Sequence, residues 1–173
     1  PQRAFIYGRE IGYNFLAYTD RLYSFPWIKF ENFDQVLNNF YASYFAGALV
    51  IPKTQLVPQL EEVFKTDHFD TKKFLSLINS FNASPESVYQ RLTNILPNSF
   101  NIQNLFFLRF THRLGSKKYH LKKELHLSHQ HSPRANETNE HYCRRWVSLK
   151  VLNDIKMSQK DHEFDIQISE YDG

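Results

Sequence analysis

The spacing of the apolar residues changes near residue 100, and this change limits the possible folds more than any other feature of the sequence. Over residues 1–100, apolar side chains recur every three to four positions, which is the spacing of a helix face. After that, residues 105–112 are rich in Phe and Leu, and the apolar residues that follow partly alternate with polar residues, as strands do. Helices followed by strands predict an α+β fold. We therefore expect a helical module at 1–100 and an α/β region at 101–173.

Five helices are predicted in the first hundred residues, and local signals define several of their ends. Asn32 and Asp70 are of the residue types that cap helix N-termini. Ser84 is a stronger start, because a proline follows it at the first helical position. Pro52 and Pro97 each favour the end of the helix before them, since proline lacks the N–H that a helix interior requires. The predicted helices cover 3–16, 33–51, 55–64, 71–81 and 84–96.

The helix predicted at 33–51 is apolar around nearly its whole circumference, so we expect it in the centre of the helical module. Its small residues, which permit close packing, are Ala42, Ala46, Gly47 and Ala48. The first helix carries Gly8 and Gly12 one turn apart, and two glycines on one face let a neighbouring backbone come close.

The region after residue 100 is predicted to form a small antiparallel sheet with a long helix packed on it. A buried strand at 105–112 and a half-exposed strand at 119–127 flank a turn. A polar loop at 128–136 then leads into a helix at 137–156, and a further strand is predicted at 162–171.

The composition is that of a folded protein rather than a disordered chain. Hydrophobic residues make up 42% and charged residues 23% of the 173 positions, and the 16 Phe and 10 Tyr can bury a large core. A single cysteine excludes an intrachain disulfide and favours a reducing, cytoplasmic setting. Neither a signal peptide nor an apolar run long enough for a membrane span is present, so no membrane partner is expected. Because the sequence starts at Pro1 without methionine, we expect a fragment of a longer protein.

Charge is distributed unevenly along the chain, although the net charge is only +3. Residues 1–108 are neutral overall, residues 109–150 carry a net charge of +7, and residues 151–173 carry −4. A local excess of this size can attract phosphates, acidic ligands or nucleic acid. The same excess is equally typical of a solvated surface, so both interpretations stay open.

Two segments of the helical region, FIYGREIGYNFL and NNFYASYFAGALVIP, carry a family resemblance. The first follows the apolar pattern around the H-E-x-x-H motif of a zincin helix, and the second is similar to the partner helix of the ImmA/IrrE-type metallopeptidases. In that family the first helix supplies two histidine ligands and a general-base glutamate, and the second supplies a carboxylate ligand. The resemblance therefore implies a zincin-like helix pair.

The residues at the family's site positions imply that this pair is not an enzyme. The two histidine positions hold Arg9 and Tyr13, and the carboxylate position holds Asn39. Only the general-base position, Glu10, keeps its residue. Since a guanidinium has no lone pair for a cation, we expect a degenerate pseudo-peptidase without metal or other cofactor, in which Arg9 pairs with Glu10 or another carboxylate. The alternative is an unrelated helix pair that matches this pattern by chance.

A second resemblance rests on the segments SFNASPESVYQRLTNILPNSFNIQNLFFLRF and NEHYCRRWVSLKVL. Both resemble regions of the short-chain fatty acyl-responsive transcriptional regulators of the XRE family. Proteins of this family begin with a helix-turn-helix domain, which is not recognisable here, and continue through a peptidase-like domain into a sensor region. The resemblance implies a cytoplasmic, dimeric regulator in which these residues sense a short-chain acyl or acyl-CoA metabolite on behalf of the DNA-binding domain.

The start of the helix predicted at 137–156 is the expected ligand site. Helix N–H groups, the helix dipole and guanidinium side chains all favour a carboxylate or phosphate there. Phe107, on the first predicted strand, is expected to form part of an apolar wall for an acyl chain. The plain alternative is that Arg144 and Arg145 are simply solvated or paired with a glutamate. The polar residues in the first turns of this helix are His141, Cys143, Arg144 and Arg145.

Some of the same residues raise the question of a metal. The candidate ligands are His126, His129, His131, His141 and Cys143. Zinc takes four nitrogen or sulfur ligands, so the residue types suffice, but the sequence has no C-x-x-C pair. Surface histidines on a polar loop explain the pattern equally simply.

Two functions of other classes are alternatives to the sensor. One is a metal-dependent hydrolase of the ImmA/IrrE type, which requires a tightly bound zinc. The other is a direct nucleic-acid binder that uses the basic segment 109–150. No function is predicted for residues 158–173.

Overall fold

The computed structural model describes residues 2–21, 32–111, 113, 119–126 and 148–154. Within these residues the protein is an α+β structure that is mostly helical. Its helices are α1 (Gln2–Phe15), α2 (Phe33–Val50), α3 (Lys53–Phe64), α4 (Thr71–Ser80) and α5 (Pro85–Phe100), and residues 148–154 are also helical. The strands are β1 (Phe106–Thr111) and β2 (His120–His126). The predicted loop at 128–136, most of the helix at 137–156 and the strand at 162–171 lie outside the described residues.

Three of the helix starts follow the local signals in the sequence. The Asn32 side chain accepts a hydrogen bond from the Gln35 N–H, and the Asp70 side chain caps α4 in the same way. The Ser84 side chain accepts from the Ser87 N–H, with proline at the first position of α5. Each such cap satisfies a backbone donor that has no partner inside the helix. These predicted starts are therefore confirmed.

The predicted end of α5 before Pro97 is wrong, because the helix continues to Phe100. Asn101 then ends it in a left-handed conformation, with φ of 54°, and the Ile102 N–H donates to the Leu96 carbonyl at 3.3 Å. The extra turn brings the Phe100 ring onto Phe64 in an edge-to-face contact with centroids 5.2 Å apart. Proline costs the helix one backbone hydrogen bond, and the Phe100–Phe64 ring contact offsets part of that cost.

The main hydrophobic core lies among α3, α4 and α5. Leu56, Leu60 and Val88 are each fully buried in it. Apolar residues on the inner faces of the three helices complete the cluster, together with Ile51 just after α2. The other members are Val63, Phe74, Leu77, Ile78, Phe81, Leu92 and Ile95.

The prediction that α2 lies in the centre of the helical module is wrong. Only Gln35, Ala42 and Ala46 of this helix are buried, whereas large side chains such as Phe33, at 73% exposed, face outward. The reason is that α2 packs mainly on α1 and lies beside the core of α3 to α5. Although α2 is apolar, none of the helices in the described part of the chain is long and apolar enough to cross a membrane.

The two strands form an antiparallel hairpin attached to α5. Phe107 pairs in register with Leu125, and the register is irregular between Arg109 and Phe110. The Arg109 guanidinium donates to the Glu86 carboxylate at 3.1 Å, which joins β1 to the first turn of α5. The prediction that the first strand is buried is wrong, because none of its side chains is fully buried and Phe106 is 41% exposed.

The described part of the last helix touches the hairpin. The Tyr119 hydroxyl donates to the Leu152 backbone carbonyl at 3.3 Å. Ser148, Leu149, Val151 and Leu152 are half-buried. The expected packing of a helix near the sheet is consistent with this contact.

Candidate functional site

Two glycines allow α1 and α2 to pack closely. A Cβ atom at Gly8 would lie 3.2 Å from the Cα and Cβ of Ala46, and one at Gly12 would lie 3.1 Å from the Ala42 carbonyl oxygen. Since carbon atoms normally approach to about 3.5–4.0 Å, a larger residue at either position does not fit without movement. The predicted close approach is confirmed, and it brings the site positions of the two helices together.

The residues at two positions of the predicted site form a hydrogen bond across this helix pair. The Tyr13 hydroxyl, on a fully buried side chain, donates to the Asn39 side-chain oxygen at 3.4 Å. Asn39 is half-buried on the facing side of α2. The phenol of Tyr13 therefore finds its acceptor on the other helix, which satisfies a polar group that would be costly to bury alone.

The partner of Glu10 is Arg21, which the sequence analysis did not identify. The Arg21 guanidinium donates to the Glu10 carboxylate at 3.1 Å, with the side chains 33% and 44% exposed. Its second terminal nitrogen donates to the Asn14 side-chain oxygen at 2.8 Å. The Glu10 carboxylate is thus paired with Arg21, and the expected pairing of Arg9 with another carboxylate stays a prediction. Such a half-exposed pair contributes about 0–1 kcal/mol, so it orients the carboxylate more than it stabilises the fold.

Arg21 also covers the Tyr13 ring, with its guanidinium carbon 5.6 Å from the ring centroid. A cation within about 6 Å of an aromatic ring is attracted to the ring face. Glu10, Tyr13, Asn14, Arg21 and Asn39 therefore form one connected group, which we call the α1–α2 polar cluster.

A tight turn after α1 positions Arg21 beside the other residues of this cluster. Ala17 adopts a left-handed conformation with φ of 54°, and the Tyr18 N–H donates to the Tyr13 carbonyl at 3.0 Å. Beyond the turn, Asp20 accepts a hydrogen bond from the Gln35 amide at 2.9 Å, which ties the returning chain to α2. The arginine thereby points back along α1.

The donor set of the α1–α2 polar cluster does not fit zinc. The residue at the first ligand position, Arg9, offers no lone pair. The Tyr13 hydroxyl and the Asn39 amide are neutral groups that bond to each other, whereas zinc prefers imidazole, thiolate and carboxylate ligands. Among the residues that the structure describes, no group of three or more His, Cys, Asp or Glu side chains is arranged to hold a metal.

Most of the predicted ligand-site residues cannot be placed. Phe107 lies in β1 and is half-buried, next to the exposed Phe106. His126 is the last residue of β2. The remaining predicted residues lie outside the described part of the chain: His129, His131, His141, Cys143, Arg144 and Arg145. The predicted anion site therefore stays a prediction, and so does the alternative of a zinc site on the candidate histidines and cysteine.

Comparisons of the chain with models of known protein families, with curated proteins and with solved structures give no match.

Proposed function

We propose that this chain is the ligand-sensing region of a DNA-binding transcriptional regulator that responds to a short-chain acyl or acyl-CoA metabolite. In this proposal α1 and α2 are a zincin-like helix pair without catalytic activity. The observation that carries the non-catalytic role is the Tyr13–Asn39 hydrogen bond, because it occupies two positions where an active relative would hold zinc ligands. The sensor role rests on the resemblance of two segments to acyl-responsive regulators of the XRE family.

Regulation requires that the ligand bind two conformations of the protein with different affinities. We propose that the acyl ligand binds one of them through Arg144 or Arg145, with His141 and Cys143 nearby and Phe107 against the acyl chain. The DNA-binding domain is then a helix-turn-helix that precedes these residues in a longer protein. Paired half-sites on DNA match a homodimer, which is the expected assembly.

Calorimetry with short-chain acyl-CoAs tests the ligand site. Titration of the chain with acetyl-, propionyl- and butyryl-CoA is expected to show binding that Arg144→Ala or Arg145→Ala weakens by about ten- to a hundredfold, because each arginine can make a charge-assisted hydrogen bond. Arg113→Ala is the matched control, since Arg113 is an exposed arginine of the same basic segment. If both test variants bind as tightly as the parent, this placement of the ligand is wrong.

The same acyl-CoAs test the regulatory role when they are added to the full-length protein. An acyl-CoA that binds is expected to change the affinity of the full-length regulator for its operator DNA. A ligand that binds but leaves DNA affinity unchanged would contradict the sensor function while leaving the ligand site intact. Sequence-selective DNA binding by the 173 residues alone would instead favour the direct nucleic-acid binder.

Metal content tests the hydrolase alternative. Elemental analysis of the purified chain is expected to find no stoichiometric zinc that depends on Glu10, because the α1–α2 polar cluster lacks the ligands for it. Added zinc should leave the thermal stability of the parent and of Glu10→Gln equally unchanged. Stoichiometric zinc that Glu10→Gln removes, together with peptide cleavage, would overturn the non-catalytic proposal.

A further inference from the structure

A cavity of about 60 Å³ lies where α1, α2 and α5 meet, and Gly47 of α2 is among the residues that line it. Phe5 from α1 and Phe40 and Tyr44 from α2 supply aromatic walls. Arg91 and Asn94 from α5 also line the cavity. One water molecule needs roughly 10–15 Å³, so the cavity accommodates a group of several non-hydrogen atoms.

Arg91 is an unusual residue for a cavity wall, because it is a charged side chain only 6% exposed. Its Nε donates to the Ile51 backbone carbonyl at 3.2 Å, and its guanidinium carbon lies 5.2 Å from the centre of the Tyr44 ring. The Nη1 nitrogen is buried and has no hydrogen-bond partner. The guanidinium is thus oriented by two contacts while one of its terminal nitrogens lacks an acceptor.

An unpaired charge is expensive to bury. No carboxylate in the described part of the chain lies within salt-bridge distance of Arg91. Leaving a buried donor without an acceptor costs about 1–3 kcal/mol, and more when the donor is charged. An anion in the cavity would remove this cost by accepting from Nη1. The Tyr44 ring, which lies against the guanidinium, is itself 44% exposed.

We propose that this cavity is a binding site for a small monocarboxylate, with the carboxylate on the Arg91 guanidinium. Guanidinium and carboxylate match in shape and charge, which makes this pair a strong one. Arg91 is the single cationic residue that lines the cavity among the described residues, so one negative charge is balanced and a phosphate dianion is not. The rings of Phe5 and Phe40 favour a short hydrocarbon tail over a polar one.

This inference goes beyond the proposed regulatory function, because it concerns a different site and does not depend on DNA binding. The proposed acyl site at Arg144 and Arg145 belongs to another part of the chain. Each site can therefore fail its own test while the other stands.

The experiment compares four proteins by thermal shift and calorimetry at constant ionic strength. The probes are the sodium salts of acetate, propionate, butyrate and hexanoate, with sodium chloride and sodium phosphate for comparison. Arg91→Met removes the charge but keeps much of the apolar volume. Gly47→Leu leaves Arg91 intact and fills the cavity, since nothing lies within 4 Å of a Cβ built at Gly47. Arg109→Gln is the control, because it removes a positive charge from the surface near α5.

The parent and Arg109→Gln are expected to bind at least one of the carboxylates and to show a higher melting temperature in its presence. Arg91→Met and Gly47→Leu are each expected to lose about ten- to a hundredfold in affinity. Gly47→Leu keeps the test decisive if Arg91→Met folds poorly. Absence of carboxylate binding by the parent overturns the inference. Equal binding of chloride or phosphate, or binding that survives Gly47→Leu, overturns it as well.

Discussion

Replacing Leu60 with alanine is expected to lower the free energy of unfolding by about 2–5 kcal/mol, which is the range measured for large-to-small changes in protein cores. Leu60 is fully buried in α3, where it belongs to the cluster shared with α4 and α5. The substitution removes three carbons and leaves a cavity that neighbours such as Leu56 and Val88 cannot fill without moving. The upper part of the range is expected if the three helices stay in place.

Urea unfolding followed by circular dichroism measures this change as a shift in midpoint. The matched control is Leu49→Ala, because Leu49 is on α2 and 53% exposed. Its effect is expected within about 0.5 kcal/mol, as for most surface substitutions. Equal effects of the two variants would contradict the assignment of the core to α3, α4 and α5.

The helix starts could be predicted because their causes are local. A cap such as Asp70 needs only the backbone N–H groups two and three residues ahead, and the sequence contains both partners. The same is true of Ser84 with the proline that follows it. The spacing of apolar residues, which changes near residue 100, is also a property of residues close together in the sequence. The order of helices and strands was therefore predictable.

Features that depend on distant partners could not be predicted in this way. Helix α2 is apolar on most faces, but its burial depends on how many elements pack around it, which periodicity does not state. The helix continues for one turn beyond Pro97 because the Phe100 ring contacts Phe64, which lies thirty-six positions earlier in the chain. Each outcome is a tertiary effect that overrides a local preference.

Arg21 and Arg91 also depend on distant partners, so the sequence alone did not identify them. The sequence pattern pointed to Glu10, Tyr13 and Asn39, and the structure brings Tyr13 and Asn39 into contact. Arg21 was missed because the turn that returns it uses Ala17 in a left-handed conformation, for which glycine is the usual signal. Arg91 lies in an ordinary amphipathic stretch, and only its 6% exposure in the fold distinguishes it.

Replacing Gly12 with leucine is expected to lower the free energy of unfolding by about 1–3 kcal/mol, through overpacking between α1 and α2. A Cβ at this position already lies 3.1 Å from the Ala42 carbonyl oxygen and 3.1 Å from the Phe45 Cβ. The oxygen belongs to the backbone and cannot rotate away. Three further carbons therefore force the helices apart and stretch the Tyr13–Asn39 hydrogen bond.

Hydrogen exchange with mass spectrometry shows which helices Gly12→Leu destabilises. Faster exchange is expected in peptides from α1 and α2, with α3 to α5 unchanged, because the main core does not use this contact. Gly47→Ala is the matched control on a helical glycine, where nothing lies within 4 Å of the added carbon. There the gain in helix propensity is unopposed, and about 0.5–1 kcal/mol of stabilisation is expected. The changes in the free energy of unfolding are thus expected to have opposite signs at the two glycines. The close α1–α2 contact accounts for this difference, since helix propensity by itself would stabilise both variants. A stabilised Gly12→Leu would show that the contact is looser than 3.1 Å.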